Sequence, residues 1–386
     1  MRNKTTPVMA GAALALLACS SSGFNTPTLL NKPSILGIQA EPAQPALAAS
    51  TTLRALVYQP PLSADGGTVE VKYRWSWCPL PVSSTNGFAC PIDQPTADQL
   101  FASVGLSGAP PLDLGAGETA SFTNPFPAAL LAQLCTNGLG AGSEGAAAST
   151  PGATGGISFS CTIAGFPIAI NLVVSMTVDG TPLELPAVFF VYLPVDDTIA
   201  ANLNPVVDGI KVKVDGVDHL LDQAGTQGIP YKSNVPVSLN MLESSAELLP
   251  NPGPNDKPYE RITISWYAEC GDFGGEGLGG DRTGYLGDPN DPYATFPIAL
   301  QNTWNTPKPE DFVPTQARII VVVRDSRGGV AWTSGAVHLG DSNSAPDAGA
   351  PDEPVADGGG VALTPDGESL DSEAADGANL LPETTP

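Results

Sequence analysis

Histidine is nearly missing from this chain, with two copies in 386 residues, and bases are scarce, 16 against 40 acids. The formal charge of -24 excludes the basic surface that phosphate backbones require, so no nucleic-acid partner is expected. His219 and His338 stand 119 residues apart, too few and too isolated for zinc or triad chemistry. There is no Gly-x-Ser-x-Gly elbow and no Gly-x-x-x-x-Gly-Lys loop. Two stretches, Gly140 to Gly145 and Gly275 to Gly280, fit Gly-x-Gly-x-x-Gly, but neither stands between a strand and a helix, so neither signals a dinucleotide site. No two carboxylates are marked out as a glycosidase pair, and no close Cys-x-x-Cys pair offers a metal site. These absences lead to an expectation of no catalytic residues, no metal and no cofactor.

What is abundant is glycine (42) and proline (39), with only 15% charged residues, a composition suited to turn-rich β structure. The acidity is uneven: 11 of the 40 acids and none of the 16 bases follow Gly340. Residues 341–386 lack the apolar density to offset ordering entropy and are expected to form a disordered, solvated acidic spacer. About 300 residues remain between leader and tail, room for two β domains.

The N-terminus reads as a leader. Arg2 and Lys4 precede an apolar run of ten, Val8 to Leu17, and Leu16-Leu17-Ala18-Cys19 closes it. The run is too short to span a bilayer. These residues resemble a bacterial lipobox, which implies cleavage after residue 18 and lipid attachment at Cys19, with residues 19–33 as a tether. Ser20 resembles outer-membrane sorting. The alternative is an ordinary secretory signal cut near Ala18. Two or three acyl chains, at about 0.8 kcal/mol per buried methylene, would make the membrane itself the first partner.

The periodicity beyond is that of strands. Val69, Val71, Tyr73, Trp75 and Trp77 alternate with Glu70, Lys72, Arg74 and Ser76, one apolar face on a half-buried strand. Leu53 to Tyr58 is expected as its partner. Ile170 to Val178 alternates up to Asp179-Gly180, a hairpin signal, and Ala187 to Leu193 has the character of a central strand. Asp98 to Val104 and Ala128 to Cys135 are expected as short helical insertions, and Asn137 to Gly156 as a flexible loop. In a second block Ile210, Val212 and Val214 run to Asp215-Gly216, and Val235, Val237, Leu239 and Met241 alternate. Ile262, Ile264 and Trp266 share a face, and Ile319 to Val323 is a β-branched run closed by Asp325-Ser326-Arg327-Gly328-Gly329. Each block thus has a mid-domain strand with a core tryptophan, Trp75 or Trp266. The expected fold is all-β, two immunoglobulin-like sandwich domains at 34–196 and 204–340. In the second block Ile262 to Trp266 and Ile319 to Gly329 resemble the tryptophan strand and closing strands of PKD-type domains. Over this second block, about 130 residues in all, the sequence resembles bacterial surface lipoproteins built from immunoglobulin-like domains.

With Cys19 lipidated, five cysteines remain in an oxidising compartment, so one is unpaired. Cys270 shares the apolar face of Ile262 and Trp266 and is expected to be the buried free thiol. Three pairings of Cys78, Cys90, Cys135 and Cys161 are open. The local pairs Cys78 with Cys90 and Cys135 with Cys161 are favoured.

One segment carries functional interest. The loop Gly271 to Pro297 holds Asp272, Asp281, Tyr285, Tyr293 and Phe296 on a span too long for an ordinary hairpin connection. Its carboxylates could take calcium, although a solvated acidic loop is favoured. Its aromatics could touch a surface protein or polysaccharide. The function expected is a binding, adhesion or structural lipoprotein of the outer membrane or cell surface, not an enzyme; the alternative is a lipid-anchored hydrolase acting on extracellular polymer.

Overall fold

A computed structural model describes residues 28–60, 69–80, 82, 88–137, 161, 164–178, 180–195, 200–249, 259–273, 281–285, 300–309 and 315–340, with backbone alone at 137, 243 and 281–285. The leader, the loop at 138–156 and the tail lie outside these residues, so the expectations made for them are not addressed by the fold. Among the described residues no helix is long and apolar enough to cross a membrane.

The chain is an all-β protein of two immunoglobulin-like sandwiches. In the first, β1 (Ser34–Glu41), β2 (Ser50–Tyr58) and β5 (Thr119–Thr123) form one sheet in the order β1-β2-β5. β3 (Lys72–Cys78), β4 (Asp113–Gly115), β6 (Phe166–Val178) and β7 (Thr181–Leu193) form the other, in the order β4-β3-β6-β7. Two helices are inserted: α1 (Gln94–Ser103), capped by Asp93, follows β3, and α2 (Ala128–Asn137) follows β5.

The second sandwich repeats the plan. β8 (Val207–Val214), β9 (Val217–Leu220), β11 (Asn234–Met241), β13 (Asp272–Phe273) and β15 (Gln301–Asn305) build one sheet, ordered β13-β15-β11-β8-β9. β10 (Gly228–Ile229), β12 (Arg261–Ala268), β14 (Asp281–Tyr285), β16 (Gln316–Arg324) and β17 (Val330–Leu339) build its partner, ordered β10-β17-β16-β12-β14. Strands β1 to β7 thus have the neighbours of β8, β11, β12, β14, β15, β16 and β17 in turn, the Greek-key order of immunoglobulin-like domains.

The tryptophan strand is the third principal strand in each copy. Trp75 and Trp77 of β3 and Trp266 of β12 are buried, and the exposed Lys72 and Arg74 mark the outer face of β3. Trp75 and Trp77 donate their indole N–H groups to the carbonyls of Gly117 and Pro111 at 2.9 and 2.8 Å. Turn chemistry sets the hairpins. Asp215 and Gly216 both have positive φ, 50° and 81°, the backbone that a two-residue β8–β9 turn needs to match strand twist. The β6–β7 ladder runs from Phe166↔Leu193 to Val178↔Thr181, with Gly180 at φ 76°.

One expected pairing is corrected. Leu53 to Tyr58 belongs to β2, which pairs with β1 and β5 in the opposite sheet, while β3 pairs with β6 and β4. Alternation identifies which face of a strand is apolar, not which strand lies beside it, and in this topology the chain crosses to the other sheet between β2 and β3.

A third apolar layer joins the sandwiches. Leu30, Leu36, Tyr58, Ile320, Val322 and Val330 form a cluster of their own, between the core containing Ile38, Leu53 and Trp75 and the core containing Trp266, Ile319 and Val321. A β-bulge at Leu36 makes this possible. The β1–β2 register shifts between Ile35 and Gly37, so Leu36 faces the second sandwich while Ile38 still faces the first core. Gly37 lies beneath Val322 and Trp332, where a Cβ would come within 3.4 Å of the valine. Arg54 of β2 stacks over Trp332 at 4.7 Å.

Candidate functional site

Among the described residues a dense polar constellation lies where the connection between the sandwiches meets the β16–β17 turn. Asp325 builds the turn. Its Oδ1 accepts the N–H groups of Arg327 and Gly329 at 2.8 and 2.7 Å, a side-chain mimic of a backbone turn. Gly328, at φ 100°, lets the chain reverse there. This geometry sends Arg327 inward, where it is 2% exposed. Its Nη1 donates to Glu247 Oε2 and Glu260 Oε1, both at 3.2 Å, and its Nη2 to Gln44 Oε1 at 3.3 Å and Ala200 O at 2.8 Å. Asn202 and Asn204 extend the network. Asn202 Nδ2 donates to Asp325 at 3.1 Å. Asn204 donates to Ala40 O at 2.7 Å and accepts from Val330 N at 2.8 Å. One turn is thereby stitched to β1, the β1–β2 loop, the connecting segment and the approach to β12.

Three carboxylates share one guanidinium here. Burial first and Asp325 second raise Glu260 to about 8, with Arg327 pulling only partly against them. Burial also raises Glu247 and Asp325. Glu260 therefore holds its proton at neutral pH. A protonated acid of this sort suits general-acid chemistry when substrate can reach it. Glu260 is 0% exposed and its hydrogen-bond partner is sealed with it, so the arrangement fixes the joint between the sandwiches.

Beside this network opens a cleft of about 330 Å³, within the size range of small-molecule and peptide pockets and, as is common, at a junction between structural units. Its walls are Ile35 to Ile38 of β1, Ala187 to Phe190 and Tyr192 of β7, and the turn from Arg324 to Val330. Arg324 is held by Ser265 Oγ at 3.1 Å and Leu36 O at 2.6 Å. Phe190 is 39% exposed, and burial raises the Tyr192 hydroxyl above its ordinary value. A more polar groove of about 310 Å³ lies over β11 and β15, lined by Lys213, Asp218, Ser238, Gln301 and Thr303.

The acidic loop is only partly described. Asp272 sits on β13, its Oδ1 accepting from Asn305 Nδ2 at 2.5 Å. Asp281 and Tyr285 bound β14, whose backbone pairs with β12, and their side chains, like all of Tyr293 and Phe296, lie outside the described residues. So does Cys19. Among the described residues no three His, Cys, Asp or Glu side chains converge as metal ligands. The disulfides are Cys78–Cys90 and Cys135–Cys161. Cys270 is a buried free thiol, pushed up to about 12 by burial and then by Glu269.

Sequence reading missed Arg327, Glu247, Glu260, Gln44 and Asn202 as a set. Arg327 stood in a stretch read as a turn, and its acidic partners lie 80 and 67 residues away. The available signal was a lone arginine ahead of two glycines in a chain poor in bases.

The chain matches no known protein family and no curated protein. Among solved structures it is similar to three N-terminal domains of the bacteriophage RB49 Highly Immunogenic Outer Capsid protein (Hoc), at 11% identity over 80% of this chain and 69% of that one, with a TM-score of 0.18. It is also similar to Escherichia coli alpha-2-macroglobulin activated by porcine elastase, at 8% identity over 80% of this chain and 22% of that one, with a TM-score of 0.17. At those scores neither likeness bears on function.

Proposed function

We propose that this is an exported surface protein, lipid-anchored through Cys19, whose paired sandwiches act as a rigid binding body rather than an enzyme, with the junction cleft as its contact site. Resemblance to bacterial surface lipoproteins with immunoglobulin-like, PKD-type domains supports the anchor and the outer-membrane or cell-surface location. The observation that carries the binding reading is the cleft itself. It is walled by both sandwiches and adjoins a joint made stiff by the Arg327 network and the third apolar layer, so its shape is preorganised. The geometry also suits display. Leu29 and Leu30 meet Ala268 at the far end of β12, whereas the cleft adjoins Arg324, which pairs with Thr263, roughly 17 Å along the strand at about 3.3 Å per residue. The described chain thus enters beside Ala268, at the end of β12 away from Arg324.

The test is capture of surface proteins and glycans by the mature chain, run beside a broad hydrolase screen, with intact-mass analysis of the N-terminus. A retained partner lost on Phe190→Ala supports the reading. Specific turnover abolished by changing one carboxylate or histidine would establish the hydrolase alternative, and an unmodified Cys19 would remove the anchor.

A further inference from the structure

The first sandwich leaves open a position that the second one fills. In the second, β17 is flanked on its outer side by β10, which runs parallel to it at Gly228↔His338 and Ile229↔Leu339. The equivalent strand β7 pairs with β6 along its whole length and ends its sheet. Two prolines identify the free side. Pro182 and Pro186 lie opposite Thr177 and Val173 and have no N–H, so their positions are those whose backbone groups point away from β6. By the alternation of an antiparallel ladder, Glu184, Val188, Phe190 and Tyr192 turn their N–H and C=O groups to the same free side. Among the described residues no other segment's backbone hydrogen-bonds to them.

Exposed strand edges are normally blunted by charge or proline. The first half of β7 is, by Pro182, Glu184 and Pro186. The second half, Ala187 to Tyr192, reads Ala-Val-Phe-Phe-Val-Tyr, with neither charge nor proline and with strong strand propensity, a liability if another sheet could reach it. It is instead recessed in the junction cleft. β1 stands along one side, and the β16–β17 turn closes one end, where a Cβ on Gly328 would lie 2.7 Å from the Tyr192 ring. The β1 edge is already engaged, since Leu36 O accepts from Arg324 and Ala40 O from Asn204. What remains is one open edge, apolar walls, and access for a single strand rather than a sheet.

We propose that the cleft takes an extended peptide segment of a protein partner by strand addition to β7, in the position that β10 holds beside β17. The peptide backbone pairs with Val188 and Phe190, and its alternate apolar side chains rest against Phe190 and Ile35. This deepens the binding reading above and rests on it.

The probe is a library of nine-residue peptides alternating Val, Ile or Phe with Ser, Thr or Lys, presented to the mature chain. Amide hydrogen exchange reads the site. Binders are expected to protect the amides of Val188 and Phe190. Val188→Pro, a substitution of the kind the strand already carries at the same parity, is expected to cut affinity about tenfold through the lost edge bond and the added ring. Slow exchange of the β6 amides verifies that this variant folds. Absence of any binder, protection confined to residues outside β7, or full-strength binding by the folded Val188→Pro variant would overturn strand addition. The exchange footprint on the unmodified chain decides the matter even where the variant does not fold. Capture of a surface partner that survives Val188→Pro would sink strand addition while leaving the binding role intact.

Discussion

Glu260→Gln isolates the electrostatics of the joint, because it preserves side-chain shape and removes one titration. In the unmodified protein Glu260 is wholly buried, with Oε1 on Arg327 and Oε2 without a hydrogen-bond partner among the described residues. Its ionisation is raised from 4.5 to about 8, by burial first and by Asp325 second. A carboxyl raised on folding leaves stability intact below its unfolded value and erodes it as pH climbs toward the folded one. Each pH unit within that window costs up to about 1.4 kcal/mol, so the stretch from pH 5 to pH 7.5 costs about 3 kcal/mol. Glu247 and Asp325 are raised too, but they are present in both proteins and largely cancel in the difference. Arg327 is the cation facing all three. Urea denaturation at half-unit steps from pH 5 to pH 8.5 reads the effect. The glutamine variant should gain on the unmodified protein steadily with rising pH and then run level with a constant offset. A difference that stays flat from pH 5 to pH 8.5 would refute the reasoning, since it would mean that Glu260 ionises in the fold much as it does in the unfolded chain.

Trp266→Ala should cost about 3 to 5 kcal/mol in chemical denaturation, because the ring is fully buried and packs 5.6 Å from Phe273. Gly165→Ala should destabilise by about 2 kcal/mol or more, since Gly165 sits at φ 114° and a Cβ would fall 2.3 Å from Leu193 O; a Tm unchanged by the substitution contradicts that placement. Removing the Cys135–Cys161 bridge, which spans 26 residues, should cost about 3 kcal/mol in the loop-entropy account. Thiol labelling of the native protein should leave Cys270 unmodified, and labelling before unfolding would show it to be accessible.

The parts of the fold legible in the sequence are those fixed by local chemistry. The alternation around Trp75 and Trp77, the turns at Gly180 and at Asp215-Gly216 and the apolar run Ile319 to Val323 each state a periodicity or a turn that short-range sterics enforce. The helical insertions were legible for the same reason: α2 begins at Ala128 as expected, and α1 begins at Gln94 rather than Asp98 because Asp93 caps it through Thr96 N. The strand opposite β3 was not legible, because pairing is a property of the closed sheet. The joint was less legible still. Gln44, Asn202, Glu247, Glu260 and Arg327 come from five segments, and nothing within any one segment demands the others. The cleft inherits this difficulty, being walled by β1, β7 and a turn more than a hundred residues later.

The cleft beside β7 and the stiffness of the joint have one cause. In the second sandwich the edge of β17 is covered by β10, which comes from the connection between the first strand β8 and β11, whereas the corresponding β1–β2 connection, residues 42–49, holds no strand. The bulge at Leu36 gives β1 two faces to serve, with Ile38 and Ala40 in the first core and Leu36 in the layer shared with Val322 and Val330. Gln39 reinforces that commitment by donating to Val330 O and accepting from Arg54. With β1 held against the second sandwich, the same contacts bring the turn from Asp325 to Gly329 up as a wall beside the edge of β7. Loosening the joint would therefore alter the cleft as well as stability, and a peptide that adds to β7 should in turn stabilise the joint by mass action.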